Sequence, residues 1–335
     1  MEGAVLIVIL LGIAFDVSNG FHDSSNAIAA LVATRAARPG PAVVLASVFT
    51  ILGPILVATA VADTVGGLLD VGPEQTLAVL LSALVAGLLW NLATWYRGLP
   101  SSSSHALVGG LVGAGLVVSG PSAIVWGGFS GVFPYGVLGV LVGLAVSPLL
   151  GAAVAWIATL AATRATRRAT RQMRKPVLRG EWVTAATLAF AHGANDAQKT
   201  MGLLTLALVA GGVIPEFVVP LWLKIACGLA LTVGTALGGW RIVRTIGRRI
   251  YRLRPLDGLV SSGSSSVIIG LASAVGAPVS TTHVVSSSVV GVGAGRRRRH
   301  VGWIVVRDIL LAWVVTLPGC ALMGAAVCVL VRMVV

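Results

Sequence analysis

Ten apolar segments occupy most of this chain of 335 residues. Each is long enough to cross a bilayer, because about 20 helical residues span the hydrocarbon core. Hydrophobic residues make up 56% of the sequence and charged residues only 10%, which excludes an ordinary soluble domain. The segments lie near residues 4–33, 42–62, 76–96, 100–118, 135–162, 181–210, 217–240, 259–275, 277–294 and 301–333. The sequence therefore predicts an all-α polytopic membrane protein with ten crossings of the lipid bilayer.

The net charge of +13 resides mainly in short loops between these segments. If the chain crosses ten times, all the basic loops fall on one side, which the positive-inside rule identifies as the cytoplasm. The basic clusters are Arg35 with Arg38, Arg97, Arg164 to Arg179, Arg241 to Arg254, and Arg296 to Arg299. This placement argues against nucleic acid as a partner and predicts that both termini lie outside. The first segment carries Glu2 and no basic leader, so we expect it to be retained rather than cleaved as a signal peptide.

Two pairs of polar motifs interrupt the apolar segments at corresponding places. Asn19-Gly-Phe-His-Asp-Ser-Ser-Asn26 corresponds to His192-Gly-Ala-Asn-Asp-Ala-Gln-Lys199, with Asp23 and Asp196 173 residues apart. Pro100-Ser-Ser-Ser-Ser-His105 corresponds to Pro278-Val-Ser-Thr-Thr-His283. The chain therefore divides into a first repeat at 1–162 and a second at 181–335, joined by a basic linker at 163–180.

An odd number of crossings per repeat makes the second repeat enter the membrane from the opposite side. Two inverted-topology repeats of about five segments are typical of secondary transporters, which bind substrate and coupling ions near the midplane between the halves. The fourth and ninth segments are short and rich in Gly and Ser, so broken or re-entrant helices are expected at the midplane. Asp16 is expected to satisfy backbone groups where the first helix breaks.

Proline followed by hydroxyl residues is typical of a helix start. Two such starts would direct unpaired N–H groups and hydroxyls at a tetrahedral oxyanion, entering from opposite sides. Lys199 would add a positive charge to this site. The predicted anion-binding residues are Ser102, Ser103, Ser104, Ser280, Thr281, Thr282, Gln198 and Lys199.

Carboxylates at membrane depth are costly unless they line a cavity or bind something, and they would repel an anion unless a cation accompanied it. Carboxylate and amide oxygens suit a hard cation or a proton carrier. Lys199 occupies the position of Asn26, and His22 adds an imidazole, a common proton carrier. Together these features favour protons over two equivalent sodium sites. No cofactor is expected. The predicted coupling-cation residues are Asp23, Asn26, Asn195, Asp196 and His22.

The motifs at 20–27, 98–106, 192–199 and 278–283, in this order and over nearly the whole chain, resemble the inorganic phosphate transporter family of the PiT type. The resemblance implies symport of phosphate with a cation through a site formed by both halves, no enzymatic activity, and a bacterial inner membrane. His22 and Lys199 stand where the family usually has asparagine. Both departures resemble the bacterial branch that uses protons and often carries phosphate as a neutral metal complex. A homodimer is compatible with this reading.

The sequence is also compatible with other functions. Sulfate is also tetrahedral, and Asp23 and Asp196 would favour phosphate only by accepting the proton that phosphate carries near neutral pH. A sodium-coupled phosphate symporter would differ only in its ion. A membrane hydrolase built from Ser103, His105 and Asp23 leaves the duplication unexplained. In a passive anion channel, the intramembrane aspartates would oppose the flow.

Overall fold

The structure is a computed structural model that describes residues 2–130, 133–168 and 171–334. Its ten long helices follow the ten predicted segments, and two short helices follow breaks after the second and seventh of them. The helices are α1 (Glu2–Ala33), α2 (Pro39–Leu56), α3 (Ala60–Gly66), α4 (Pro73–Arg97), α5 (Ser103–Ser119), α6 (Gly136–Ala165), α7 (Arg174–Ala210), α8 (Leu221–Leu237), α9 (Trp240–Arg244), α10 (Pro255–Ala274), α11 (Thr281–Arg297) and α12 (Trp303–Val334). A pair of two-residue strands, β1 (Phe129–Ser130) and β2 (Phe133–Pro134), precedes α6.

In the part of the chain that the structure describes, six helices are long and apolar enough to cross a membrane: α1, α2, α4, α5, α6 and α12. A seventh span is formed if α8 is joined to the helical stretch Trp240–Ile250, with a bend of 61° between them. The other three long helices are more polar, because α7 contains the second acidic motif and α10 and α11 are rich in serine. The all-α polytopic membrane fold is confirmed, and the number of ten crossings stays a prediction.

The two repeats interlock through equivalent helix pairs. α5 packs along α12, and its counterpart α11 packs along α6. In the same way α1 packs on α8, and α7 packs on α2. In these two pairs of contacts the halves exchange roles. Five long helices per repeat, an odd number, give the second repeat the opposite orientation, so the fold consists of two inverted repeats.

The crossings of α1 with α8 and of α7 with α2 are close because glycine lies at both. A Cβ atom on Gly20 would lie 2.1 Å from the carbonyl oxygen of Leu231 and 2.9 Å from Cα of Gly234. On α7, a Cβ atom on Gly193 would lie 2.0 Å from the carbonyl oxygen of Thr50. Small residues allow membrane helices to approach this closely. Both acidic motifs are thus held against a helix of the other half.

The acidic motifs lie within unbroken helices, which corrects the expectation of a helix break beside Asp16. α1 is helical from Glu2 to Ala33 and α7 from Arg174 to Ala210. The breaks lie instead before α3, α9, α5 and α11. A continuous helix can place its polar side chains against these broken ends because the motif residues are spaced on one face. The breaks, rather than the acidic helices, expose backbone groups to the interior.

The predicted linker at 163–180 and the repeat boundaries stay predictions. α6 extends to Ala165 and α7 begins at Arg174, so both ends of the linker are helical. Residues 169 and 170 of the linker lie outside the described residues.

Candidate functional site

The two predicted helix starts are present and built alike. α5 begins at Ser103, and the hydroxyl of Ser102 accepts a hydrogen bond of 3.1 Å from the backbone N–H of His105. α11 begins at Thr281, and the Ser280 hydroxyl accepts a bond of 3.3 Å from the N–H of His283. Ser102 and Ser280 therefore act as N-caps, which satisfy one of the first N–H groups of each helix. The hydroxyls that follow the caps, among them Ser104, Thr281 and Thr282, contact charged side chains instead.

Asp23 and Asp196, one from each repeat, meet at the start of α11. The Thr281 hydroxyl lies 2.7 Å from Oδ2 of Asp196 and 3.3 Å from Oδ2 of Asp23. Thr282 donates to Oδ1 of Asp23 at 2.7 Å and accepts from Nδ2 of Asn26 at 3.2 Å. All five side chains are buried. Because a hydroxyl has one proton, Thr281 can donate to only one carboxylate at a time.

Lys199 connects the second acidic motif to the start of α5. Its ammonium forms an ion pair with Asp196 and donates to Oγ of Ser104 and to the carbonyl oxygen of Val279, each at 2.7 Å. These contacts use all three donor protons of the ammonium. Lys199 reaches Ser104 as Asn26 reaches Thr282, so each motif contacts the helix start of the other repeat. Lys199, where the first repeat has Asn26, thus lies between the Asp196 carboxylate and the Ser104 hydroxyl, which was predicted to bind the anion.

Each aspartate also contacts a histidine, but from a different position in its motif. Nδ1 of His22 lies 2.8 Å from Asp23, and Nε2 of His192 lies 2.9 Å from Asp196 and 4.0 Å from Asp23. Nε2 of His22 is 3.3 Å from the hydroxyl of Thr94. His192 was not predicted from the sequence as a site residue. Its spacing of four residues from Asp196 was the available signal, since such residues are neighbours on a helix.

Asp23, His192 and Asp196 form a group that could hold a cation. One ligand atom from each lies within 4.8 Å of the other two. Two carboxylates and an imidazole suit a divalent metal ion, and the carboxylates alone also suit a proton. The group is therefore a candidate cation site formed by both repeats.

Asn26 and Asn195, the two asparagines predicted to bind the coupling cation, each keep one acceptor. Nδ2 of Asn195 donates to Ser273 at 2.9 Å and to the carbonyl oxygen of Ala277 at 3.3 Å. Within the described part of the chain, Oδ1 of Asn26 and Oδ1 of Asn195 are buried without a hydrogen-bond partner. A buried acceptor without a donor is costly. These two oxygens are therefore available as ligands for a hard cation.

Gln198 lies at the break between α2 and α3. Its Oε1 accepts from the backbone N–H of Val61 at 3.0 Å and of Ala62 at 3.4 Å, and its Nε2 donates to the carbonyl oxygen of Ala58 at 2.8 Å. The side chain thus satisfies backbone groups rather than facing the carboxylate pair. Ser103, by contrast, is buried in the first turn of α5, beside the hydroxyl that contacts Lys199.

This chain is similar to known proteins over most of its length. The model of the "Phosphate transporter family" matches residues 19–179 and 162–324. A "Probable low-affinity inorganic phosphate transporter" of Mycobacterium bovis is 41% identical over 325 residues, which cover 96% of this chain and 76% of that protein. The protein of the same description in Rhizobium meliloti is 40% identical over 324 residues, covering 96% and 95%.

A solved structure described as "The sodium-dependent phosphate transporter" shares the fold. Its TM-score is 0.86 at 24% identity, and the match covers 99% of this chain and 100% of that chain. These relatives are transporters rather than enzymes, as the resemblance implied. The match of the family model over most of the sequence shows that the chain belongs to the phosphate transporter family.

Proposed function

We propose that this protein moves inorganic phosphate across a bacterial plasma membrane by symport with a cation, opening alternately to each side. The observation that carries the proposal is the buried cluster of Asp23, Asp196, Thr281 and Lys199, to which both repeats contribute. A site between inverted repeats changes its access when one repeat rocks against the other. On the topology inferred from the basic loops, both termini lie outside.

Phosphate is the anion that this cluster suits best. The helix starts and the Lys199 ammonium attract a negative charge, and the carboxylates of Asp23 and Asp196 can accept the proton that phosphate carries near neutral pH. Fully ionised sulfate has no such proton and would meet uncompensated carboxylates. The names of the relatives, low-affinity inorganic phosphate transporters, favour the same substrate. We assign direct contact with phosphate to Ser103, Ser104, Thr281, Thr282 and Lys199, with Ser102, Ser280 and Gln198 supporting the backbone around it.

The proton is the coupling ion that we favour. Lys199 already neutralises Asp196, so the second repeat has little need of a bound metal cation at the position where the first repeat has Asn26. An imidazole lies beside each carboxylate, His22 beside Asp23 and His192 beside Asp196, and histidine is a common proton carrier in proteins. These features support proton coupling, with phosphate carried free or as a neutral complex with a divalent metal.

Sodium coupling is the second candidate. It is favoured by the buried acceptors of Asn26 and Asn195, which have no protein donor among the described residues and belong to the oxygen ligands that hard cations prefer. The solved relative with the same fold is described as sodium-dependent. The two candidates differ in which gradient drives accumulation.

Uptake of labelled phosphate into proteoliposomes distinguishes the candidates when proton and sodium gradients are imposed separately, with and without Mg²⁺. We expect accumulation with an acid exterior in the absence of sodium, and competition by unlabelled phosphate in preference to sulfate. Accumulation driven only by sodium would refute proton coupling, and preferential uptake of sulfate would refute the substrate. Asp308→Asn is a matched control, because this carboxylate is exposed and pairs only with its neighbour Arg307 in the described structure.

A further inference from the structure

Asp16 is a third intramembrane aspartate, which the proposed site does not use. It is fully buried on α1, seven residues before Asp23 and therefore on the same face of the helix. Its Oδ1 accepts a hydrogen bond of 2.6 Å from the hydroxyl of Thr200 on α7. Its Oδ2 has no hydrogen-bond partner among the described residues. The carboxyl group thus has one free oxygen in the interior of the protein.

No cation among the described residues compensates Asp16, unlike the other two aspartates. Asp196 pairs with Lys199 and His192, and Asp23 with His22. The groups that face Asp16 are the hydroxyl of Thr200 on α7 and the thiol of Cys227 on α8, and the charged group that acts on it is another anion, Asp196. A buried carboxylate without a positive partner is strongly disfavoured, and such a group takes up a proton instead. Asp16 is therefore suited to hold a proton.

The hydrogen bond to Thr200 connects Asp16 to the central site. Thr200 follows Lys199 directly and lies one helical turn after Asp196 on α7. A shift of α7 against α1 would change this bond and the environment of Oδ2 together. The second repeat has Ala189 at the corresponding position, 173 residues further on, so the carboxyl group is single and not part of a symmetric pair.

We propose that Asp16 binds the proton that is transported with phosphate. A proton from water on one side forms the O–H bond at Oδ2, the neutral acid persists while the site is closed, and the O–H bond breaks to release the proton to water on the other side. The proposal rests on the proton-coupled function proposed above. It adds a proton site separate from the carboxylate pair that meets Thr281.

The test uses Asp16→Asn in proteoliposomes with the membrane potential clamped at zero. For wild-type protein, each unit of pH difference can drive up to about tenfold accumulation of phosphate per proton. The variant is expected to accumulate no phosphate, with an inside-to-outside ratio near one. It should retain exchange of labelled for unlabelled phosphate, and this exchange should lose its pH dependence. Asp16→Glu, which keeps an ionisable group, should retain accumulation.

Thr200→Val provides a second test, in which Asp16 is kept and only its hydrogen bond from Thr200 is removed. The Thr200 hydroxyl donates a hydrogen bond to Asp16. A donated hydrogen bond stabilises the ionised carboxylate more than the neutral acid. Removing it should move the midpoint of the pH dependence of exchange to more alkaline pH by about 0.5 to 1 unit. Thr205→Val is the matched control, because its buried hydroxyl lies on the same helix and has no hydrogen-bond partner among the described residues. It should leave the midpoint unchanged.

The outcomes separate this inference from the proposed function. Wild-type accumulation driven by protons, with the same accumulation in Asp16→Asn, would overturn the role of Asp16 and leave proton symport standing. Wild-type accumulation driven only by sodium would overturn both. Loss of exchange as well as accumulation in Asp16→Asn, with normal exchange in Asp16→Glu, would assign the carboxyl group to the transport path itself and also overturn the proposal.

Discussion

Replacing Asp196 by asparagine is expected to leave the Lys199 ammonium buried without an anion. Lys199 is 4% exposed, and its remaining contacts would be the Ser104 hydroxyl and the Val279 carbonyl oxygen, which are neutral acceptors. Removing one partner of a buried ion pair costs about 3–5 kcal/mol, because the other charge loses its compensation. Asp196→Asn should therefore lower the free energy of unfolding by this amount.

The reverse change should cost less. In Lys199→Asn, Asp196 keeps the Thr281 hydroxyl as a donor and His192 as a partner that can be protonated, so we expect a loss of about 1–3 kcal/mol. The double variant Asp196→Asn with Lys199→Asn removes both charges. Residues in direct contact show interaction energies of about 0.5–3 kcal/mol, and we expect a value near the upper end, with the double variant more stable than Asp196→Asn alone.

Thermal unfolding of the purified protein in detergent measures these differences. At about 2 °C per kcal/mol for a chain of this size, Asp196→Asn should lower the unfolding temperature by roughly 6–10 °C. Asp308→Asn, the same chemical change at an exposed ion pair, should have almost no effect. An unfolding temperature for the double variant equal to or below that of Asp196→Asn would refute the argument that the unpaired ammonium causes the loss.

Three further changes test other parts of the structure. Asp23→Asn should abolish accumulation of phosphate while the protein remains folded in the membrane, since the Thr282 hydroxyl can still donate to an oxygen at this position. Vesicle uptake and membrane fractionation measure the two effects, and normal accumulation would exclude Asp23 from coupling. Gly20→Val should destabilise the protein by about 3 kcal/mol or more, because the new Cβ would lie 2.1 Å from a carbonyl oxygen. The control is Gly270→Ala, where nothing lies within 4 Å of the new Cβ. Equal unfolding temperatures for the two variants would contradict the close approach at Gly20. Ser280→Ala should lower the free energy of unfolding by about 1 kcal/mol through loss of the N-cap and raise the phosphate concentration needed for half-maximal uptake. If neither the stability nor this concentration changed, Ser280 would have no role in forming the site.

Much of the site was predictable from the duplicated motifs. Proline followed by hydroxyl residues located the starts of α5 and α11 to within three residues. Pro100 and Pro278 lie two residues before the N-caps Ser102 and Ser280 rather than in the first turn, so the local signal that marks each start is the capping hydroxyl. The pairing of Asp23 with Asp196 followed from their equivalent positions in inverted repeats. In both cases the information is either local or fixed by symmetry.

The contacts that sequence reasoning missed depend on distant segments. Gln198 stands beside Lys199 in a polar motif, yet its carboxamide is used by backbone groups at Ala58, Val61 and Ala62, about 140 residues away in the chain. The break at residues 57–59 contains no proline or glycine that would mark it, and Pro54 lies inside α2 rather than at its end. The helices of the acidic motifs were expected to break, whereas tertiary contacts let them remain continuous.

The packing of α5 along α12 also has a consequence for synthesis. α5 belongs to the first repeat and is synthesised well before α12, which belongs to the second. Until α12 is in place, the surface of α5 that it covers lacks its partner, and the Pro100 carbonyl oxygen lacks the Trp313 donor. The turn that carries Ser102 and Ser103 is therefore completed only when part of the second repeat has been made and has packed against the first.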